Sequence, residues 1–316
     1  MARRDLVALV LAAVCWGTGT VASKAALDEI PPLTLLSVQL AASVVTLALV
    51  MRLQGVPLRS DGPPLLGRLG LLNPGLAYAL SLLGLVTISA SLSVLIWALE
   101  PLMILVLAAI TLGERITPRL AILSLVAVAG IALVVFDPAA GGLLVGVALS
   151  LAGVACCAVY TVLTRRVIPG ARDTSQVVLG QQVHALGLAL VLVAAIGVVG
   201  GTIVPSSLTV LGLASAIGSG LLYYAGAYWF YLGALRHVPA SLAAVSFYLI
   251  PIVGLGAGAV LLGDRLDARQ WLGALVVLAA VLGVWIDSRR IESVSFERWI
   301  STSGPGSTPP SGTRTD

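Results

Sequence analysis

The chain has 316 residues, of which 59% are hydrophobic and 10% are charged, and its formal net charge is +4. A water-soluble protein carries about 25% charged residues, and a chain this apolar could not cover its surface with polar groups. The composition therefore argues against a soluble enzyme or a soluble nucleic-acid-binding protein, and it indicates an integral membrane protein.

Ten apolar runs follow one another along the chain, separated by charges, prolines and glycine turns. Each is close to the ~20 residues that a helix needs to cross ~30 Å of hydrocarbon. Helices are expected because lipid offers the backbone no hydrogen-bond partner. The predicted helices are 6–26, 33–51, 65–84, 88–110, 118–136, 142–164, 176–199, 208–232, 240–262 and 270–287.

Arginine and lysine indicate the orientation of these helices. If both termini are cytoplasmic, 15 of the 18 basic residues lie in inner segments, and the outer segments hold Lys24, Arg265 and Arg269. Because cytoplasmic loops are enriched in arginine and lysine, we expect a multi-pass protein of the cytoplasmic membrane with both ends inside. The polar segment 289–316 should be a disordered cytoplasmic tail.

The second half of the chain repeats the first. Residues 90–134 align without a gap with residues 240–284, and 15 of those 45 positions are identical, while the earlier helices match at an offset near 141. Because five is odd, the second copy of a five-helix unit would lie upside down in the bilayer, as in many secondary transporters. We therefore expect one repeat in 1–140 and an inverted repeat in 141–288.

Four short motifs stand out along the chain, and the last is the repeat of the third in the second half. They are Trp16-Gly17, Glu100-Pro101, Leu112-Gly113-Glu114-Arg115 and Leu262-Gly263-Asp264-Arg265. With these motifs, residues 6–287 resemble the drug/metabolite transporter superfamily, in the type with two EamA domains. The resemblance implies an all-α bundle of ten transmembrane helices around a central cavity, which exports or exchanges amino acids or related metabolites by alternating access. Many relatives carry arginine where this chain has Gln39.

Glu100 is the sharpest candidate for a functional residue, because it lies near the middle of the predicted helix 88–110. A charged side chain at the bilayer centre costs about 2.5–3.5 kcal/mol on insertion scales, so Glu100 should face a cavity or a partner. Its repeat mate is Ile250. Three roles are open: counter-charge for a substrate amine, proton-coupling site, or protonated group hydrogen-bonded inside the bundle.

Aromatic and amide side chains are the other candidates for substrate binding. Rings that face a cavity bind apolar or cationic solutes, whereas other rings pack helices or lie at the membrane interface. Amides inside helices bond a substrate or join helices. Tyr224, Tyr228 and Tyr231 have the spacing of one helix face. The candidates are Trp16, Gln39, Tyr78, Trp97, Tyr160, Gln181, Tyr224, Tyr228 and Tyr248.

Two prolines occupy equivalent positions of the two halves, Pro101 and Pro251. Each removes a backbone hydrogen bond inside a predicted helix and bends it. The matched pair could act as hinges during transport, or it could simply shape the bundle.

No catalytic or metal-binding constellation is visible in the sequence, since His184 and His237 have no carboxylate or thiol at ligand spacing. We therefore predict a carrier without enzyme activity, cofactor or metal. Its partners would be a small-molecule substrate and the lipid bilayer, not nucleic acid. A homodimer is left open by the small-residue face Gly254-x-x-x-Gly258. The alternatives are a drug or nucleotide-sugar carrier of the same fold, or a non-transporting membrane scaffold.

Overall fold

The computed structural model describes most of the predicted helical region. The described residues are 3–58, 62–100, 103–104, 106–107, 110, 118–135, 143–167, 173–205, 207–235, 249–263, 265–280 and 283. Within these ranges all regular secondary structure is helical, which confirms the all-α prediction. The predicted tail 289–316 lies outside the described residues.

Five of the described helices begin and end within three residues of their predicted limits, and the others cover parts of predicted spans. The helices are α1 Arg3–Leu27, α2 Pro32–Leu53, α3 Pro64–Arg68, α4 Ala77–Leu85, α5 Ala90–Trp97, α6 Pro118–Val135, α7 Leu143–Val167, α8 Thr174–Val198, α9 Val210–Gly220, α10 Ala227–Leu235, α11 Leu249–Ala257 and α12 Ala268–Ala280.

Five helical segments in the described ranges are long and apolar enough to cross a membrane. They are Val7–Leu27, Pro32–Leu53, Leu143–Thr164, Ser175–Val198 and Val210–Tyr231. Large apolar side chains such as Val45, Val191 and Leu211 are exposed along them. An apolar exterior on long apolar helices is expected of a protein that faces lipid rather than water.

Among the described residues, three predicted spans contain irregular turns instead of running as continuous α-helices: a π turn at Gly258–Leu262 ends one of them, and the other two form an equivalent pair. Between α3 and α4 the chain forms a 3₁₀ turn at Leu69–Leu71 and a π turn at Leu72–Leu76, where Asn73 leaves the helical conformation. Between α9 and α10 it forms a second π turn at Leu221–Gly226. The two π turns lie about 150 residues apart, which is the repeat offset. The same irregularity is therefore built into both halves.

Two glycines hold the halves at close range through equivalent contacts. Gly70 packs on the backbone of Gln181 in α8, and Gly220 packs on the backbone of Gln39 in α2, so a Cβ at either glycine would meet backbone atoms. Gly70 and Gly220 are repeat mates, and so are Gln39 and Gln181. Each half thus makes the same contact with the other half, as in a two-fold arrangement.

Loops of the two halves are joined by a second matched pair of contacts. The hydroxyl of Thr34, in the first turn of α2, donates a hydrogen bond of 2.7 Å to the carbonyl of Ile203. The amide of Gln176, in the first turn of α8, donates one of 2.9 Å to the carbonyl of Pro57. Thr34 and Gln176 are 142 residues apart, like Gln39 and Gln181. In each half, the first turn of the equivalent helix therefore donates a hydrogen bond to a loop of the other half.

The loop before α2 also carries a carboxylate that has no equivalent in this matched pair. Glu29 accepts hydrogen bonds of 2.6 Å from the hydroxyl and from the backbone N–H of Thr209. Thr209 is the N-cap of α9, and its hydroxyl accepts a hydrogen bond of 3.0 Å from the N–H of Gly212. The side-chain and backbone hydrogen bonds from Thr209 hold the pKa of Glu29 below its ordinary value. A negative charge at a helix N-terminus is also favoured by the helix dipole.

Candidate functional site

Four aromatic side chains meet where the two halves face each other, and we call them the aromatic cluster: Tyr78, Trp97, Tyr223 and Tyr224. Tyr78 stacks on Trp97 with ring centroids 5.3 Å apart. It also makes edge-to-face contacts with Tyr223 and Tyr224, whose ring centroids lie 5.1 Å and 5.2 Å from its own. The first two rings come from α4 and α5, and the other two come from the π turn Leu221–Gly226. Both halves thus contribute to one cluster, whose rings pack directly on one another.

The orientation of Trp97 is determined by a polar contact as well as by stacking. Its indole N–H donates a hydrogen bond of 3.0 Å to the hydroxyl of Ser81, one turn beyond Tyr78 on α4. Tyr78 itself is buried. This part of the cluster is therefore a defined arrangement of rings rather than loose apolar packing.

A second group of rings adjoins the aromatic cluster. Trp16 of α1 makes edge contacts with Tyr228 at 5.7 Å and with Tyr231 at 5.6 Å. The side chains of Tyr228 and Tyr78 interact with each other, and these two tyrosines are repeat mates. Contact between repeat mates indicates that the tyrosines lie close to the axis that relates the halves.

The three tyrosines that were expected to share one helix face are divided between these groups. Tyr224 packs on Tyr78 and Tyr231 packs on Trp16, whereas Tyr228 interacts with both Trp16 and Tyr78. The physical reason is the π turn, whose extra residue ends the regular α-helical spacing at this point. It also brings Tyr223 into the aromatic cluster, a residue that the sequence reasoning had not selected. The consecutive pair Tyr223-Tyr224 was the signal available for it.

Glu100 follows Trp97 of the aromatic cluster by three residues and is partly buried. The thiol of Cys157, on α7, donates a hydrogen bond of 3.1 Å to its carboxylate. Tyr160 and Tyr223 are close enough to interact with it electrostatically. Among the described residues, no lysine, arginine or histidine is seen in an ion pair with Glu100. The ion pair that the described residues show joins Arg4 and Asp5 at the start of α1.

Gln39 is fully buried and joins helices of both halves. Its amide nitrogen donates hydrogen bonds of 2.8 Å to the hydroxyl of Ser23 on α1 and of 2.7 Å to the hydroxyl of Ser219 on α9. In the described part of the chain its carbonyl oxygen has no hydrogen-bond partner. In this conformation the amide thus connects helices, and its binding role stays a prediction.

Its repeat mate Gln181 is bonded in a similar way. Its side-chain oxygen accepts a hydrogen bond of 2.9 Å from the hydroxyl of Tyr160, and its nitrogen donates one of 3.1 Å to the carbonyl of Leu66. Because Tyr160 is also a neighbour of Glu100, these contacts connect the acidic side chain to the interface between the halves.

The neighbouring amide, Gln182, is a central residue that the sequence reasoning missed. It accepts a hydrogen bond of 2.5 Å from the hydroxyl of Ser43, on α2, and donates one of 3.0 Å to the carbonyl of Tyr224. Two consecutive glutamines inside an apolar run were a usable signal, since burying an unpaired amide is costly. Gln182 thus ties the π turn behind the aromatic cluster to two long helices.

The structure says less about the two prolines and Tyr248 than about the other candidates. Pro251 is buried in α11, and its role as a hinge stays a prediction. Pro101 and Tyr248 lie outside the described residues. In the portion of the chain that the structure covers, no three His, Cys, Asp or Glu side chains are grouped so that they could hold a metal ion.

Comparisons with known proteins agree with this duplicated helical arrangement. Residues 4–136 and 144–286 each match the EamA-like transporter family. An uncharacterized transporter of Archaeoglobus fulgidus is 27% identical over 288 residues, which cover 90% of this chain and 98% of that relative. A protein crystal structure with 18% identity has a TM-score of 0.64 and covers 92% of this chain and 100% of that chain. At this low identity, the structural likeness concerns the fold alone.

Proposed function

Because this chain belongs to the EamA-like transporter family, we propose that it is a secondary carrier that moves a small metabolite across the cytoplasmic membrane. The site between the halves would open alternately to either side, and the carrier would work as an exporter or an exchanger. Amino acids and related compounds are the leading substrates. The observation that carries the proposal is the aromatic cluster, to which both halves contribute and beside which Glu100 lies.

Alternating access is supported by the matched contacts between the halves. Gly70 on Gln181 and Gly220 on Gln39 are the same contact made twice. Two halves related in this way can exchange conformations, and if each contains five spans, the exchange moves the opening from one side of the membrane to the other. The arginine distribution predicts ten spans with both termini in the cytoplasm.

The location of the site is supported by the chemistry of its side chains. Ionisable residues within membrane helices usually face the bundle interior or a solute pathway, because exposing them to lipid is costly. Glu100 meets that description, since its described neighbours are a thiol and two tyrosines. Rings around such a group can replace water around the apolar part of a solute.

Counterflow into vesicles tests the proposal. The purified full-length protein is reconstituted with an unlabelled solute inside, and uptake of the same labelled solute is followed for amino acids, organic amines, cationic drugs and nucleotide sugars. We expect at least one class to accumulate without ATP, and to do so more slowly with Glu100→Gln. A correctly folded protein that accumulates none of the four classes would contradict the carrier proposal and favour the scaffold alternative.

A further inference from the structure

The two halves of the fold allow Glu100 to be compared with the residue at the equivalent position of the second half. The repeat mate of Glu100 is Ile250, and the repeat mate of Cys157 is Trp16. Cys157 of the second half donates a hydrogen bond to Glu100 of the first half. At the equivalent contact between the halves, Ile250 of the second half packs against the apolar cluster that contains Trp16 of the first half. The same helix packing therefore forms with an apolar pair, and the fold itself does not require an acid at this position.

The contacts of Glu100 leave room for a further donor. A thiol is a weak hydrogen-bond donor, and a carboxylate has about four lone-pair sites. Cys157 supplies one hydrogen bond of 3.1 Å, and no cationic side chain among the described residues is paired with the acid. An acid that the fold does not need, and to which the described residues donate one weak hydrogen bond, is suited to an external partner.

The rings beside Glu100 narrow the chemistry of that partner. Tyr223 interacts electrostatically with Glu100 and lies edge-on to Tyr78, which stacks on Trp97. The faces of aromatic rings attract cations, and the attraction is stronger where water is excluded. A carboxylate together with tyrosine and tryptophan rings is a combination that binds an ammonium group through charge-assisted hydrogen bonds and cation–π contacts.

We infer that the solute group recognised at Glu100 is an ammonium group, and that the substrates are organic amines with an apolar or aromatic body. This inference rests on the proposed carrier function and selects among its substrates. A phosphate-bearing solute such as a nucleotide sugar would place like charges together at Glu100. An amino acid would need a second, cationic partner for its carboxylate, and the buried polar side chains of the described residues include no lysine, arginine or histidine.

Three solutes with the same phenyl body separate these possibilities: phenethylamine, phenylalanine and 3-phenylpropionate. They are a cation, a zwitterion and an anion at neutral pH. Binding of each to the purified full-length protein in lipid nanodiscs is measured by calorimetry, and transport is measured by counterflow. We expect phenethylamine to bind at least tenfold more tightly than the other two, and Glu100→Gln to weaken its binding at least tenfold.

Glu100→Ile serves as the matched folding control, because it installs the residue that the other half carries at this position. We expect it to keep the elution volume and melting temperature of the wild type and to lose phenethylamine binding. Tighter binding of the zwitterion or the anion, or unchanged amine binding in Glu100→Gln, would overturn the ammonium inference while leaving the carrier proposal intact. Binding of none of the three also overturns the inference, whereas the carrier proposal is decided by the separate four-class counterflow screen.

Discussion

Glu29 holds both the hydroxyl and the backbone N–H of Thr209 through hydrogen bonds of 2.6 Å, so a carboxylate of the first half caps a helix of the second. These contacts hold the pKa of Glu29 below its ordinary value. The arginine distribution predicts that both residues lie on the outer face. In that orientation the pair would join the two halves at the face away from the cytoplasm.

The first prediction concerns the pH dependence of this contact. A carboxylate whose pKa is lowered on folding stabilises the folded state above its unfolded pKa, about 4.3, and this stabilisation is lost as the pH falls through the lowered folded value. Glu29→Gln should therefore reduce the loss of melting temperature between pH 6 and pH 3. Thermal unfolding in detergent measures it, with the exposed neighbour Asp28→Asn as the control. Equal pH profiles of the melting temperature for wild type and Glu29→Gln would show that the contact between Glu29 and Thr209 does not stabilise the fold.

The glycine contacts between the halves predict a matched pair of destabilised variants. Gly70→Ala and Gly220→Ala each force a methyl group against backbone atoms, and overpacking of this kind costs about 1–3 kcal/mol. Gly218→Ala is the control, because it lies on the same helix as Gly220 and its Cβ would meet open space. There alanine should be neutral or stabilising, by up to about 1 kcal/mol. Thermal stability that falls equally in all three variants would show that close packing is not the cause.

Gln182 should be needed for the stability of the bundle. Gln182→Leu leaves the Ser43 hydroxyl and the Tyr224 carbonyl without this partner, and a buried polar group that loses its hydrogen bond costs about 1–3 kcal/mol. Val183→Ala, on the exposed side of the same helix, should have a smaller effect. The free energy of unfolding of both variants is measured by chemical unfolding in detergent. An equal decrease in the two variants would show that the hydrogen bonds of Gln182 do not stabilise the bundle.

Tyr223 should contribute to amine binding, although the α-helical spacing did not select it. Replacing it with leucine keeps an apolar side chain but removes the ring that links Glu100 to Tyr78. A cation–π contact contributes about 0.5–2 kcal/mol, so phenethylamine affinity should fall by roughly two- to thirtyfold. Trp229→Leu is the control, because Trp229 is 54% exposed. Comparable losses in both variants would indicate a general effect of removing rings.

Inversion of the repeats predicts that equivalent loops lie on opposite sides of the membrane. Glu114 and Asp264 are repeat mates, and the arginine distribution places the first inside and the second outside. Single cysteines at these positions, in a variant with Cys15, Cys156 and Cys157 replaced by alanine or serine, should react differently with an impermeant thiol reagent added to intact cells. Reaction of both from the same side would end the inverted-repeat proposal.

The helix positions could be predicted because lipid leaves the backbone few alternatives. The run 33–51 corresponds to α2, Pro32–Leu53, and the run 176–199 corresponds to α8, Thr174–Val198. The π turns could not be predicted, because they do not change the hydropathy of a run. The segment Leu221–Gly226 is apolar apart from its two tyrosine hydroxyl groups, and it reads as part of one helix.

The candidate site was predictable in composition but not in detail. Glu100, Tyr78 and Trp97 stood out because polar and aromatic groups are rare in the apolar runs. The structure stacks Tyr78 on Trp97, and Glu100 follows Trp97 by three residues. The cap formed by Glu29 and Thr209 joins residues 180 positions apart. Contacts between residues so far apart in sequence depend on how the helices pack, and they cannot be predicted from the sequence of a single loop.

Ile250 has a consequence for the direction of transport. Two identical repeats would make the inward-facing and outward-facing shapes equal in energy, since swapping the roles of the halves would reproduce the same molecule. With an acid in one half and isoleucine in the other, the swap places the negative charge in a different setting. Under the proposed alternating-access cycle, this asymmetry, together with the other positions at which the repeats differ, would make the empty protein rest mainly facing one compartment.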